Sequence, residues 1–416
     1  MKSIVIEGGQ RLNGKIEISG MKNSALPIIF ACILVSGETV LHNVPRVSDV
    51  ENALEILRKM GADADFVDEH TVIINTQRLD GCGIDFELVS KMRASSYLMS
   101  TCLAKFGRVR IPYPGGCNFG SRPIEQHIKG FCALGADCLQ NDEIIEINLP
   151  KRIKSSKILL DKISVGATIN MIMASVFCDG RVIIENVAKE PHVIDLISFL
   201  NVCGASITVN DNSIEVRGVN KLFGKPYRVY SDTIETLTFV TCIGVTGGRI
   251  ALQNAEYEHV KPFIPLFQAM NIDVLYRGGF VCLKSSGIPK GIDVITAPYP
   301  DFPTDLHPQF SALLCYCEGG GSVTETIFKE RFAYVNELQK MGAVIKKYGD
   351  TVKIQKSELY GAVLDATDLR AGASLVVASL GAKGRSIINN VNYIERGYEG
   401  IVQKLSSVGA NISYNY

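Results

Sequence analysis

The stretch Tyr113-Pro114-Gly115-Gly116-Cys117-Asn118-Phe119-Gly120-Ser121-Arg122-Pro123 holds three glycines and two prolines in eleven residues. That density excludes a helix interior or a central strand, so the segment reads as a loop. Its glycines can expose backbone N–H groups to an anion, and Arg122 adds a fixed cation five residues after Cys117. A thiol beside a bound anion can act as acid or nucleophile. Further cations stand in polar, turn-rich surroundings: Lys22, Arg331, Arg370 and Arg396. Any one of them alone reads as a solvated charge. Lys22, Arg122, Arg331 and Arg396 together exceed what a single carboxylate needs, and suit a ligand carrying phosphate as well as carboxylate.

The composition limits which proteins can carry such a loop. A chain of 416 residues is too long for one ordinary core, and two or more domains are expected. Lys+Arg and Asp+Glu balance at 43 each, which argues against a nucleic-acid binder. The longest apolar runs, 25–35 and 375–380, have the size of core helices, so no membrane span is expected. The opening Met-Lys-Ser-Ile-Val-Ile-Glu alternates like a strand and lacks the apolar block of a signal peptide. Twelve cysteines form no CxxC pair and mostly lie in apolar runs, which fits a reducing cytoplasm and no structural zinc. No Walker loop or GxGxxG follows a strand, so neither a P-loop nor a dinucleotide fold is supported.

The elements that must position these residues recur with a fixed beat. Helix-like segments end at Met60-Gly61-Ala62, Leu134-Gly135-Ala136, Cys203-Gly204-Ala205, Met270-Asn271-Ile272, Met341-Gly342-Ala343 and Val408-Gly409-Ala410, with spacings of 74, 69, 67, 71 and 67. Gly or Asn at each end suits a left-handed helix stop. A second marker keeps the same period: Gly37, Gly107, Gly180, Gly248, Gly321 and Gly384 each follow an apolar helix-like segment and precede a strand-like run. The unit reads as helix, strand, helix, strand, strand, six times over. Such units need neighbours to complete a core, so three per domain are expected. The predicted domains are 21–230 and 1–20 plus 231–416, the N-terminal strands completing the last unit. The double crossing makes the space between the domains the expected ligand site.

Aligned on the second marker, the first helices of the last three units start at Asp232, Asp305 and Asp368. A helix start favours a carboxylate, which is a sufficient structural account for Asp232. The matching places in the first three units hold Lys22-Asn23, Met92-Arg93 and Val165-Gly166. One domain therefore offers cations or open helix starts, and the other offers candidate bases. His127, four residues past Pro123, is either a neighbour of the site or a packed histidine.

These residues also form a recognisable set. Gly20-Met21-Lys22-Asn23-Ser24-Ala25-Leu26-Pro27, Lys91-Met92-Arg93-Ala94-Ser95, the Cys117 loop, Asp161 to Thr168, Phe302-Pro303-Thr304-Asp305, Phe328 to Phe332, Ala366 to Ala371 and Glu395 to Glu399 resemble the UDP-N-acetylglucosamine enolpyruvyl transferases of the EPSP synthase superfamily. The similarity runs the whole chain in order. It implies an α/β fold of two inside-out α/β barrels, six repeats of about 70 residues, three per domain. It further implies transfer of the enolpyruvyl group of phosphoenolpyruvate to the 3-hydroxyl of UDP-N-acetylglucosamine with loss of phosphate, the first committed step of peptidoglycan synthesis. No metal or organic cofactor is expected, and the partners are these two small molecules; a cytoplasmic monomer is expected.

Position by position, the resemblance implies that Lys22, Asn23, Arg122, Arg331 and Arg396 hold phosphoenolpyruvate. Cys117 is the implied acid toward the enol methylene and can form a covalent adduct. Asp305 is the implied base for the sugar hydroxyl, with Asp368 a second carboxylate near the reacting centre and Arg370 a further substrate contact. Arg93, the run Arg122, Pro123, Ile124, Glu125 and Gln126, the run Lys162, Ile163, Ser164 and Val165, together with Asp305 and Ile327, are the implied UDP-sugar contacts. Some positions depart from the family pattern: Ser231-Asp232-Thr233-Ile234-Glu235-Thr236-Leu237 stands where the family reads Pro-Asp-Arg-Ile-Glu-Thr-Gly, and His192, Asp301 and Phe119 replace an acidic, a small and an aliphatic residue. The competing readings are the shikimate-pathway transferase, a transferase for another nucleotide, and a silent nucleotide-sugar sensor. Intact Cys117, Asp305, Lys22 and Arg396 argue against silence.

Overall fold

The computed structural model describes residues 2–80, 84–115, 124–141 and 143–416. They form two compact units, 20–115 with 124–230, and 2–19 with 231–416.

Each unit is built around three inner helices. In the first these are Lys22–Ala31, Leu98–Phe106 and Val165–Ser175; in the second, Thr233–Thr246, His307–Leu314 and Leu369–Gly381. Every residue from Leu369 to Leu380 is buried. A helix apolar all round has no solvent face and must lie in the core. The three inner helices of the second unit pack on one another. Hydroxyls within them turn back on their own helix, as Ser374 Oγ to the Ala371 carbonyl at 2.7 Å and Thr241 Oγ1 to that of Thr238 at 2.7 Å. Helices nearer solvent are amphipathic instead. Ser48–Lys59 buries Val50, Ala53, Leu54, Ile56 and Leu57 while Arg58 and Lys59 close its last turn.

Small sheets of three or four strands cover the inner helices, three to a unit among the described residues, and the first unit adds a two-stranded pair, Val35–Ser36 with Leu222–Phe223. In the third of the first unit, Lys154–Leu159 runs parallel to Asp179–Glu185, which pairs antiparallel with Ser213–Arg217, itself antiparallel to Ser206–Val209. Alternate residues Val182, Ile184, Ile214 and Val216 are fully buried, as the pleat of a one-sided sheet requires. The same order recurs in four further sheets. The sequence period missed the leading parallel strand, which is only two or three residues long in Tyr227–Arg228, Asp293–Ile295 and Val363–Asp365.

The N-terminal segment divides, which corrects the expectation that 1–20 complete the last repeat. Ser3–Glu7 does so, lying between Arg385–Asn389 and Asn411–Asn415. Leu12–Glu17 instead pairs parallel with Gly248–Gln253 of the fourth repeat. Its counterpart Tyr227–Arg228 pairs with Glu38–His42 of the first. At each chain crossing the strand before the helix thus stays with the unit being left, because a parallel partner is open there.

Buried carboxylates anchor both crossings. Glu235 accepts from the Ser19 amide at 2.8 Å and from Lys404 at 2.6 Å, and Asp195 accepts from the Tyr230 amide at 2.9 Å. All six helix-end positions predicted to be left-handed are so: φ is 64° at Asn271 and 89° to 107° at the five glycines. Four more asparagines, Asn43, Asn186, Asn254 and Asn390, are left-handed at a second repeated place, φ 56° to 59°. Three of their amides donate to the end of the parallel strand or just beyond it, at Val229, Leu160 and Ile18. No helix among the described residues is long and apolar enough to cross a membrane.

Candidate active site

In the second unit the three aspartates of the repeat part company. Asp232 accepts from the amides of Ile234 and Glu235 at 2.8 and 2.9 Å, and Asp368 from those of Arg370 and Ala371 at 2.9 and 3.0 Å. Both are helix N-caps, as the spacing predicts. Asp305 is not. It lies inside the 3-10 turn Thr304–Leu306 that precedes His307–Leu314, with Pro303 before the turn and Pro308 after it. The extra turn moves the helix start beyond its reach, and its carboxylate is left for side chains.

Two arginines take it. Arg331 Nη1 lies 2.8 Å from Oδ1 and Arg370 Nη2 2.9 Å from Oδ2. Both guanidiniums are 5% exposed and the carboxylate 25%, so the cations are fixed and the acid faces outward. Burial alone would push the Asp305 carboxyl up; the guanidiniums of Arg370 and Arg331 outweigh it and hold the group well below the usual carboxylate range. Arg370 also lies over the Tyr398 ring, 5.4 Å from its centre. Gln309 Nε2 ties the Asp305 carbonyl to the Tyr398 hydroxyl at 3.1 and 2.8 Å. Two cations on one carboxylate leave a net positive centre, able to accept an anion without reorganising. Ile327 is 40% exposed, its amide bound to Glu325 at 2.8 Å. Arg396 is half-buried, just past Asn392–Glu395.

In the first unit Lys22 opens its inner helix, beside the half-buried Asn23, and forms an ion pair with Asp49 at 3.0 Å. Asp49 stands in the first turn of Ser48–Lys59, where a carboxylate also complements the helix dipole. Arg93 Nη1 reaches the Pro114 carbonyl at 3.5 Å. A Cβ on Gly115 would lie 1.6 Å from the Ser90 carbonyl oxygen, so only glycine fits that approach. Cys117, Arg122 and Pro123 lie outside the described residues.

Ile124 is buried, and Glu125 and Gln126 begin the helix Glu125–Ala133. Gln126 exchanges two hydrogen bonds with Asp161, each 2.9 Å, joining that helix to the segment carrying the exposed Lys162 and Ile163. Ser164 caps the helix opened by Val165, accepting from Ala167. His127 proves to be packed: buried, 2.9 Å from Asn170, its ring beneath Gly166, and lowered by burial to about 3. Sequence reasoning missed Asp49, Thr304, Gln309 and Asp161 as partners of the candidate groups. Asp161 and Thr304 carried a signal, since each lies in one of the matched motifs. Leu237, where the family reads glycine, is fully buried in the inner-helix core.

Residues 6–405 match the family described as EPSP synthase (3-phosphoshikimate 1-carboxyvinyltransferase). A protein of Halothermothrix orenii named UDP-N-acetylglucosamine 1-carboxyvinyltransferase is 43% identical over 99% of both chains. One of Symbiobacterium thermophilum, UDP-N-acetylglucosamine 1-carboxyvinyltransferase 3, is 39% identical over 99% of this chain and 98% of its own. The crystal structure of the enolpyruvyl transferase NikO from Streptomyces tendae superposes with a TM-score of 0.88 over 100% of this chain and 99% of that one, at 22% identity, which fixes the fold as the two-domain enolpyruvyl transferase fold. With that fold, and with full-length relatives of this identity, the chain belongs to the EPSP synthase family, among its UDP-N-acetylglucosamine 1-carboxyvinyltransferases.

Proposed function

We infer that this enzyme transfers the enolpyruvyl group of phosphoenolpyruvate to the 3-hydroxyl of UDP-N-acetylglucosamine. The observation that carries the reading is Asp305 braced between Arg331 and Arg370, an ionised acid next to fixed cations. The sugar oxygen adds to C2 of the enol while its proton passes to Asp305. The methylene carbon gains a proton from the Cys117 thiol. Loss of a methyl proton then expels phosphate and restores the double bond, so the sugar oxygen replaces phosphate on C2. Lys22, Asn23, Arg122, Arg331 and Arg396 hold the anionic donor throughout, which lowers the cost of the charge that develops. Arg370 and Asp368 complete the surroundings of the reacting carbon. Arg93, Ile124 to Gln126, Lys162 to Val165 and Ile327 hold the UDP-sugar. The ten described free thiols fit a reducing cytoplasm, where the product would feed peptidoglycan synthesis.

Phosphate release tests the assignment. Phosphate should appear only when phosphoenolpyruvate and UDP-N-acetylglucosamine are both present. Release with shikimate 3-phosphate in place of the UDP-sugar overturns it.

A further inference from the structure

A second buried carboxylate stands behind Asp305. Glu325 is fully buried and accepts five hydrogen bonds. On Oε1 are the Thr296 hydroxyl at 2.9 Å and the amides of Ile327 and Phe328 at 2.8 and 3.0 Å. On Oε2 are the Thr304 hydroxyl at 2.8 Å and His307 Nδ1 at 3.0 Å. Burial pushes its carboxyl up, but these donors win and hold it near 2. Burial lowers His307 below the ordinary imidazole value, so the ring is neutral at pH 7. With its proton on Nδ1, Nε2 accepts from Tyr334, 2.7 Å away, and Tyr334 from Ser311 at 2.8 Å.

The directions matter at Thr304. A hydroxyl has one proton, and Glu325 takes it. The oxygen's lone pairs are then left for Arg331 Nη1 at 3.0 Å, the same nitrogen that holds Asp305 at 2.8 Å. We propose that Glu325 is a positioning residue: by fixing the Thr304 hydroxyl as a donor to itself, it makes that oxygen an acceptor for Arg331 and holds the guanidinium across Asp305. The proposal rests on the reading of Asp305 as the base that takes the sugar proton. An amide at 325 can present its NH2 to Thr304, which reverses the hydroxyl and turns its proton toward Arg331.

Among the described residues, the charged groups facing Asp305 are Arg331 and Arg370, with Tyr398 and Asp232 acting on Arg370 from behind. Loosening Arg331 removes one of the two cations that keep Asp305 ionised. The test is kcat and KM for phosphoenolpyruvate, read separately in the full-length chain, for Glu325→Gln, Thr304→Val and Thr304→Ser, with Asp305→Asn as reference. kcat/KM should fall roughly tenfold in Glu325→Gln and Thr304→Val, the effect of loosening one hydrogen bond to a charged group. Thr304→Ser, which keeps the hydroxyl, should keep the parent's kcat and KM. The Glu325→Gln, Thr304→Val double variant should fall no further than either single one, because both break one link. Should Glu325→Gln fail to fold, the contrast between valine and serine at 304 still decides. Unchanged kcat and KM in both single variants, beside an inactive Asp305→Asn, overturn this inference alone. An Asp305→Asn enzyme with full activity overturns the base assignment and this inference with it.

Discussion

Asp305 and Asp368 occupy the same place in adjacent repeats, sixteen residues before the glycine that opens the next strand. Both sit at the entrance of a buried helix in one unit, yet they do different work. Asp368 spends one oxygen on the amides of Arg370 and Ala371, so its helix begins at Leu369 with a satisfied first turn. Asp305 gives no oxygen to the backbone, because a 3-10 turn and Pro308 stand between it and the helix. A proline near a helix start removes one of the amides a cap would satisfy. Thus one repeat position, released from capping by its neighbours, becomes free to hold two arginines. A repeated fold can obtain a reactive carboxylate in this way without adding an element.

The largest expected effect separates the two kinds of aspartate. Asp305→Asn should lower kcat/KM by about 10²- to 10⁴-fold, the usual contribution of a general base, and should also lower the melting temperature, because buried Arg331 and Arg370 lose the charge that pairs them. Asp232→Asn, at the third matching position, should lose little, because asparagine caps a helix about as well as aspartate. A loss below tenfold at 305, or equal losses at 305 and 232, would break the comparison.

A smaller effect sharpens it from the stability side. Asp368→Ala removes a cap and should cost about 1 kcal/mol, a fall of roughly 2–4 °C in melting temperature for a unit of this size. Asp368→Asn should restore that stability. Whatever activity the asparagine variant still lacks then measures the chemical part of Asp368, separated from its cap. Urea unfolding of the two variants, beside the parent, gives the numbers.

The contrast also explains what was legible in the sequence. Positions defined by backbone conformation repeat, and a repeat can be counted: the left-handed helix ends, the strand-opening glycines and the caps at Asp232 and Asp368 all lie where the period puts them. The leading parallel strands Tyr227–Arg228, Asp293–Ile295 and Val363–Asp365 escaped because two or three residues carry no alternation to detect. The split of the N-terminal strands escaped because partner choice depends on which sheet has an open edge. In the site, the cations and carboxylates were legible as residue types. Their pairing was not: Arg331 and Arg370 lie 26 and 65 residues from Asp305, and nothing in the spacing selects them. Glu325 was invisible for the same reason, since every side chain it binds comes from 18 or more positions away.

The smallest effect concerns the one helix end that departs from its five equivalents. Asn271 adopts φ 64°, whereas the glycines at 61, 135, 204, 342 and 409 open to 89° or more. Asparagine tolerates the left-handed region better than other residues with a side chain, but not as freely as glycine. Asn271→Gly relieves that strain in the folded chain and also lets the unfolded chain explore more conformations, which opposes the gain. The two contributions are of similar size, so the net change should stay within about 0.5 kcal/mol. Asn271→Ala keeps the strain and loses the side chain that tolerates it, so it should cost about 1 kcal/mol, the lower end of the left-handed penalty. The ordering, glycine near asparagine and both above alanine, is what urea unfolding checks. If alanine matched glycine, the position would have lost its left-handed requirement, and Asn271 would no longer count as the fourth beat of the repeat.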